Sequence, residues 1–180
     1  GIFMSQTGGG CRASNYVSLL RKALKDMGME QIPVISVNMA GLEKNPGFSL
    51  SLGVIKRGLM AVMYGDLFMR VLYATRPYEK EPGSANHLYE KCCREADDII
   101  ARGSMRAFSR SMEDIVREFD KLPLLDIKKP KVGIVGEILV KYHPNANNDV
   151  VSIVENEGGE AVVLDLTDFL LYGMYSKEFN

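Results

Sequence analysis

The chain has 180 residues, and it is short of several things: no Trp, three Cys, two His, and 22 Lys+Arg against 23 Asp+Glu for a net charge of −1. Each shortage excludes something. A balanced charge gives no electrostatic case for nucleic acid, because phosphate binding wants a clustered cationic excess. The longest uncharged run, residues 31–42, has twelve residues. A bilayer needs about 20, so no membrane partner is expected. No positively charged segment leads into an apolar stretch at the start, so no signal peptide is read. Cysteine is odd in number, and Cys92 and Cys93 are adjacent. Vicinal cysteines cannot pair without severe backbone distortion, which excludes a secreted disulfide framework and points to reduced thiols in the cytoplasm. No HExxH-type zinc signature and no Ser/His/Asp order is found.

What is present suits a folded protein: 46% of the residues are hydrophobic, enough for the core of one domain or of two small lobes. Gly1-Ile2-Phe3-Met4 runs straight into Ser5-Gln6-Thr7-Gly8-Gly9-Gly10-Cys11, and the other end, Phe169 through Tyr175, is apolar without a helix cap. Both ends read as cuts through a longer polypeptide.

Periodicity organises the chain into three parts. In residues 1–48, a short apolar strand (2–6), a glycine-rich turn, a helix (12–27) carrying Tyr16, Leu19, Leu20, Ala23 and Leu24, and a β-branched strand (32–37) predict a β-α-β unit. Residues 49–127 read as a helical insertion. Its first helix, about 50–73, is apolar nearly all round and is expected to be buried. Val54, Gly58, Ala61 and Gly65 share one narrow arc of it. The next helix, with Ser84 as its cap, puts Leu88, Cys92, Ala96 and Ile99 on one face. After Gly103-Ser104, the spacing of Met105, Phe108, Met112, Ile115, Phe119 and Leu122 predicts another. Residues 128–180 read as a second, truncated β-α-β unit: a strand over 132–140, a helix over 147–156 and a strand over 161–166. The fold class predicted is α/β, with parallel-sheet, Rossmann-like β-α-β units at both ends and a helical insertion between them.

Two places can carry chemistry. Gly8, Gly9 and Gly10 cost backbone entropy that a plain strand does not need. They stand between a strand and a helix N-terminus, where free N–H groups favour anions. Arg12 can add charge, and Cys11 at such a position favours thiolate, as nucleophile, redox thiol or metal ligand. A tight turn with a Cys that merely fits is the competing reading, since the spacing matches neither a P-loop nor G-x-G-x-x-G. The second place follows the strand over 132–140, where Glu137, Lys141, His143, Asn145, Asn147 and Asn148 fall at the carboxyl end used by ligands in open α/β sheets. Its competitor is helix capping by Asn147 with turn residues before it. Cys92 shares a face with Leu88, Ala96 and Ile99, which favours core packing over ligation.

The runs SQTGGGCRASNYVSLLRKAL, VMYGDLFMRVLYATRPYE and KVGIVGEILVKYHPNANNDVV together resemble acyl-CoA dehydratase activase-related proteins, fusions of a 2-hydroxyglutaryl-CoA dehydratase activator-type ATPase with regions similar to dehydratase subunits. The resemblance covers nearly the whole chain and implies a piece of the dehydratase-like region. It further implies a role in ATP-driven low-potential electron transfer to, or cluster binding in, a radical 2-hydroxyacyl-CoA dehydratase system. Cys11 is then a ligand of a [4Fe–4S] cluster held by the longer polypeptide and not by these 180 residues alone. Gly8, Gly9, Gly10, Arg12, Glu137 and His143 are the cofactor-binding candidates. The implied partners are the ATPase region of the same polypeptide and a dehydratase subunit or acyl-CoA. The alternative is a non-catalytic α/β domain that binds phosphate or CoA, or docks a partner.

Overall fold

The computed structural model describes residues 1–6, 12–38, 41–42 and 51–175, and the chain divides into two compact units, Gly1–Ser49 and Leu50–Asn180. In the first, β1 (Ile2–Gln6) pairs in parallel with β2 (Val34–Asn38), Ile2 opposite Val34, and β3 (Gly41–Leu42) adds antiparallel to β2. The crossover is α1 (Tyr16–Asp26), entered through a 3-10 turn over Arg12–Asn15. The helix thus begins four residues later than periodicity predicts, although its core face is the expected one. Val17 and Leu24 are buried against Val34, with Ile2, Met4 and Leu20 packed around them. Gly28, at φ 68, ends the turn after α1 in the left-handed region that only glycine enters freely.

The second unit begins with α2 (Leu52–Thr75), opened by Ser51, whose hydroxyl accepts from the Val54 N–H at 3.3 Å. Helices α3 (Ser84–Arg102) and α4 (Met105–Asp120) pack against it. Met60, Tyr64, Phe68 and Leu72 of α2 meet Cys92 and Ala96 of α3 and Phe108, Ile115 and Phe119 of α4 in one core. Tyr64 sits edge-on to Phe108 at 5.0 Å, an arrangement the ring quadrupoles favour. Cys92 is a core residue. Ser84, read as a cap, is instead the first residue of α3. The capping oxygens come from Glu79, which accepts from the Gly83 and Ala85 N–H groups at 2.6 and 2.8 Å.

One expectation for α2 fails along half its length. Leu52 is 86% exposed, and Val54, Ile55, Leu59 and Met63 are also exposed. The bundle covers only the arc holding Met60 and Tyr64, so the apolar surface of the first three turns faces outward.

After α4 the chain forms β4 (Lys131–Ile134) and β5 (Glu160–Val163), paired in parallel with Lys131 opposite Glu160. Between them lie α5 (Ile138–Tyr142) and α6 (Val150–Asn156), and α7 (Leu166–Tyr175) follows β5. The strand predicted over 132–140 stops at Ile134. The Glu137 carboxylate accepts the N–H groups of Leu139 and Val140 at 3.0 and 3.1 Å, which turns the following apolar residues into a helix. The helix predicted from 147 starts at Val150, because Asn148 and Asp149 take left-handed φ values of 57 and 53. The strand predicted over 161–166 is Glu160–Val163, and the apolar tail after it is helical.

The protein is therefore mixed α/β. Among the described residues it has two parallel strand pairs, each joined through helix, and a helical segment between them in the chain. Among the described residues no helix is long and apolar enough to cross a membrane.

Candidate functional site

Of the residues singled out by sequence, Gly8, Gly9, Gly10 and Cys11 lie outside the described residues. Arg12 opens the 3-10 turn and is exposed, while its neighbour Ala13 is buried. The flanking elements carry the information here. β1 ends at Gln6 and helical backbone resumes at Arg12, so residues 7–11 link the carboxyl end of a parallel strand to the crossover toward β2.

Glu137 and His143 stand at opposite ends of α5, the first as its N-cap and the second as its exposed C-cap. Around them is a network of turns. The His143 carbonyl accepts from Ala146 and Asn147 N–H at 2.9 and 3.1 Å. The Asn147 amide donates to the Val140 and Lys141 carbonyls at 3.0 and 3.1 Å, and its oxygen accepts from the Val150 N–H at 3.3 Å. Satisfying freed backbone groups at the helix ends occupies the Glu137 and Asn147 side chains. The structure does not gather Glu137 and His143 onto one reacting point. Among the described residues no group of three or more His, Cys, Asp or Glu is placed to hold a metal ion.

The charged residues that tie the second unit together were not singled out by sequence. Asp66, buried in the middle of α2, accepts from the Leu166 and Thr167 N–H groups at 2.8 and 2.7 Å and from the Thr167 hydroxyl. It caps α7 across a hundred residues of sequence. One turn on, Arg70 pairs with Asp165 at 2.5 Å. That carboxylate raises the guanidinium's pKa further, by hydrogen bonding and by charge. Arg76 grips Glu155 through two nitrogens at 2.8 and 2.9 Å, the bidentate geometry that suits a guanidinium best. Buried Glu160 accepts from the Tyr78 hydroxyl at 2.7 Å and pairs with Lys131 at 3.0 Å. Short sequence patterns do not report contacts of this separation; the only signal was polar residues interrupting an apolar helix.

A hollow of about 340 Å³ opens beside this network, between α2, α3, the end of α5 and the start of α7. Tyr142 follows β4 through α5 and Leu166 follows β5, so the hollow lies on the side of the carboxyl ends of the parallel pair. Its walls are mainly apolar and aromatic, from Phe68, Tyr73, Tyr89 and Tyr142, with Asp66 at one edge. The thiols lie on α3: desolvation pushes the Cys92 pKa up to about 11, and burial raises that of Cys93 as well. Both are neutral thiols at physiological pH and poor ligands or nucleophiles in that state.

Compared with family models, curated proteins and solved structures, the chain finds no match.

Proposed function

We propose that the chain is a Rossmann-like piece of a CoA-substrate-specific enzyme activase-like protein, acting in the cytoplasm within a radical 2-hydroxyacyl-CoA dehydratase system. Its role is to take part in ATP-driven low-potential electron transfer to the dehydratase, or in binding the cluster involved. One observation carries the reading. β1 and β2 run parallel through α1, so the segment bearing Cys11 leaves the carboxyl end of a parallel strand. That is the end at which α/β sheets take ligands. The three runs that carry the resemblance fall on β1 and α1, on α2, and on β4 with α5.

The described residues do not make a cluster site on their own. A [4Fe–4S] cluster takes about four thiolates, and the two described cysteines are neutral thiols on α3, within or beside the helical core. Cys11 is accordingly assigned a single ligand position. The other ligands belong to the ATPase region of the same polypeptide or to a dehydratase subunit. The cluster, when bound, supplies one-electron chemistry.

Anaerobic reconstitution with iron, sulfide and excess dithiothreitol, the last standing in for the missing thiolates, tests this. Wild type should take up iron and develop sulfide-to-iron absorption, and Cys11→Ser should lose most of both. Equal iron in Cys11→Ser, or a wild type that stays colourless, refutes the assignment.

A further inference from the structure

The hollow beside α2 has a composition that selects a ligand. Four rings, Phe68, Tyr73, Tyr89 and Tyr142, converge on it, and Gly65 lies in its wall. Gly65 is in a helix interior, where glycine is costly. A Cβ built there meets nothing within 4 Å, so no close approach within the protein requires the glycine. Gly65 is exposed on the hollow's wall, so a larger side chain there adds bulk at its lining.

The polar atoms at the rim are mostly committed already. Both Asp66 oxygens cap α7, the Tyr142 hydroxyl donates to the Leu164 carbonyl at 2.6 Å, and the Tyr89 hydroxyl bonds to the Cys93 thiol. A strongly polar ligand would lose its hydration without recovering hydrogen bonds there. A ligand cation is disfavoured too, although aromatic cages commonly take one. Lys141 Nζ already sits 4.4 Å from the Tyr142 ring centroid, and the Arg76 guanidinium 5.5 Å from that of Tyr73.

We propose that this hollow is a binding site for a neutral aromatic group of one or two fused rings, held among Tyr73, Tyr89 and Tyr142 over the space left by Gly65. Edge-to-face contacts with the tyrosines and Phe68 supply orientation, and displacement of poorly held water supplies affinity. The site is independent of Cys11 and of the activase reading.

Indole is the probe. The chain has no Trp, so indole emission excited beyond tyrosine absorption reports on the ligand alone. Titrated into the full chain, indole should show a saturable blue shift. Gly65→Leu should weaken it at least about tenfold, and Gly65→Ala by a smaller factor in the same direction. Gly58→Leu, on the same helix and also facing open space but outside the hollow's lining, should bind as wild type does. Each variant's thermal transition is checked first, and Gly65→Ala keeps the test decisive if the leucine variant misfolds. The proposal fails if wild type shows no saturable shift, if the folded Gly65 variants bind as wild type, or if tetramethylammonium binds and displaces indole.

Discussion

At the residue scale, Cys92 shows how position decides chemistry. The same side chain is a reactive thiolate at an open helix N-terminus and an inert apolar group inside a helical bundle. Here it is 3% exposed between α3 and α4, and its pKa rises from an ordinary 9.0 to about 11. Tyr89, bonded to Cys93, rises from 10.0 to about 12. Between the unfolded and folded values the native state holds a proton that the unfolded chain has lost. The stability these groups contribute is therefore complete below pH 9 and declines as pH climbs through 11 and then 12. Urea denaturation of wild type and Cys92→Ala should give a stability difference that is constant up to pH 9 and shrinks above it. A difference unchanged through pH 11 would contradict the burial assigned to this thiol.

At the element scale, the reading of the sequence succeeded wherever a local pattern was enough. The stripe Phe108, Ile115, Phe119 identified α4, the β-branched run identified β2, and Gly103 at φ 66 identified the break between α3 and α4. It failed where a distant residue or a cap decides. Asp165 and Asp168 are helix-start residues beside Leu166, but the oxygens that open α7 belong to the distant Asp66. Ile138 to Val140 look like strand until Glu137 is seen folding back on the Leu139 and Val140 N–H groups. The outward apolar face of α2 was hidden for the opposite reason: hydrophobicity all round does not say which side is covered. The α7 cap gives a prediction. Asp66→Asn keeps one acceptor and should cost about 1–2 kcal/mol, and Asp66→Ala about 2–3. Hydrogen exchange at the Leu166 and Thr167 amides should accelerate with either. Unchanged exchange there would show that α7 does not depend on this carboxylate.

At the scale of the whole molecule, the two units carry cores of very different size. Among the described residues, the first rests on Val17, Leu24 and Val34, whereas the second gathers ten buried residues from three helices and adds Arg76–Glu155 and Asp66 as ties to its strands and last helix. A small core cannot hold a chain of about 50 residues with much margin. Residues 50–180 alone should melt cooperatively with near-ultraviolet dichroism from their packed tyrosines, and residues 1–49 alone should show no cooperative transition. A 50–180 piece lacking fixed tertiary dichroism would contradict the assignment of a self-sufficient core. The Gly-rich segment over residues 7–11 stands out in the sequence and lies outside the described residues. The aromatic hollow needed Tyr73, Tyr89 and Tyr142 to be brought together from three helices, which no spacing foretold.

Electron paramagnetic resonance is the sharpest test of the proposed ligation of a low-potential iron–sulfur cluster by Cys11. Wild type, Cys11→Ser and the Cys92→Ser/Cys93→Ser double variant are each reconstituted anaerobically with dithiothreitol and then reduced with dithionite. A reduced-cluster signal is expected in wild type, an equal one in the double variant, and none in Cys11→Ser. A signal that persists in Cys11→Ser, or one that vanishes only when the α3 cysteines are removed, would contradict that ligation.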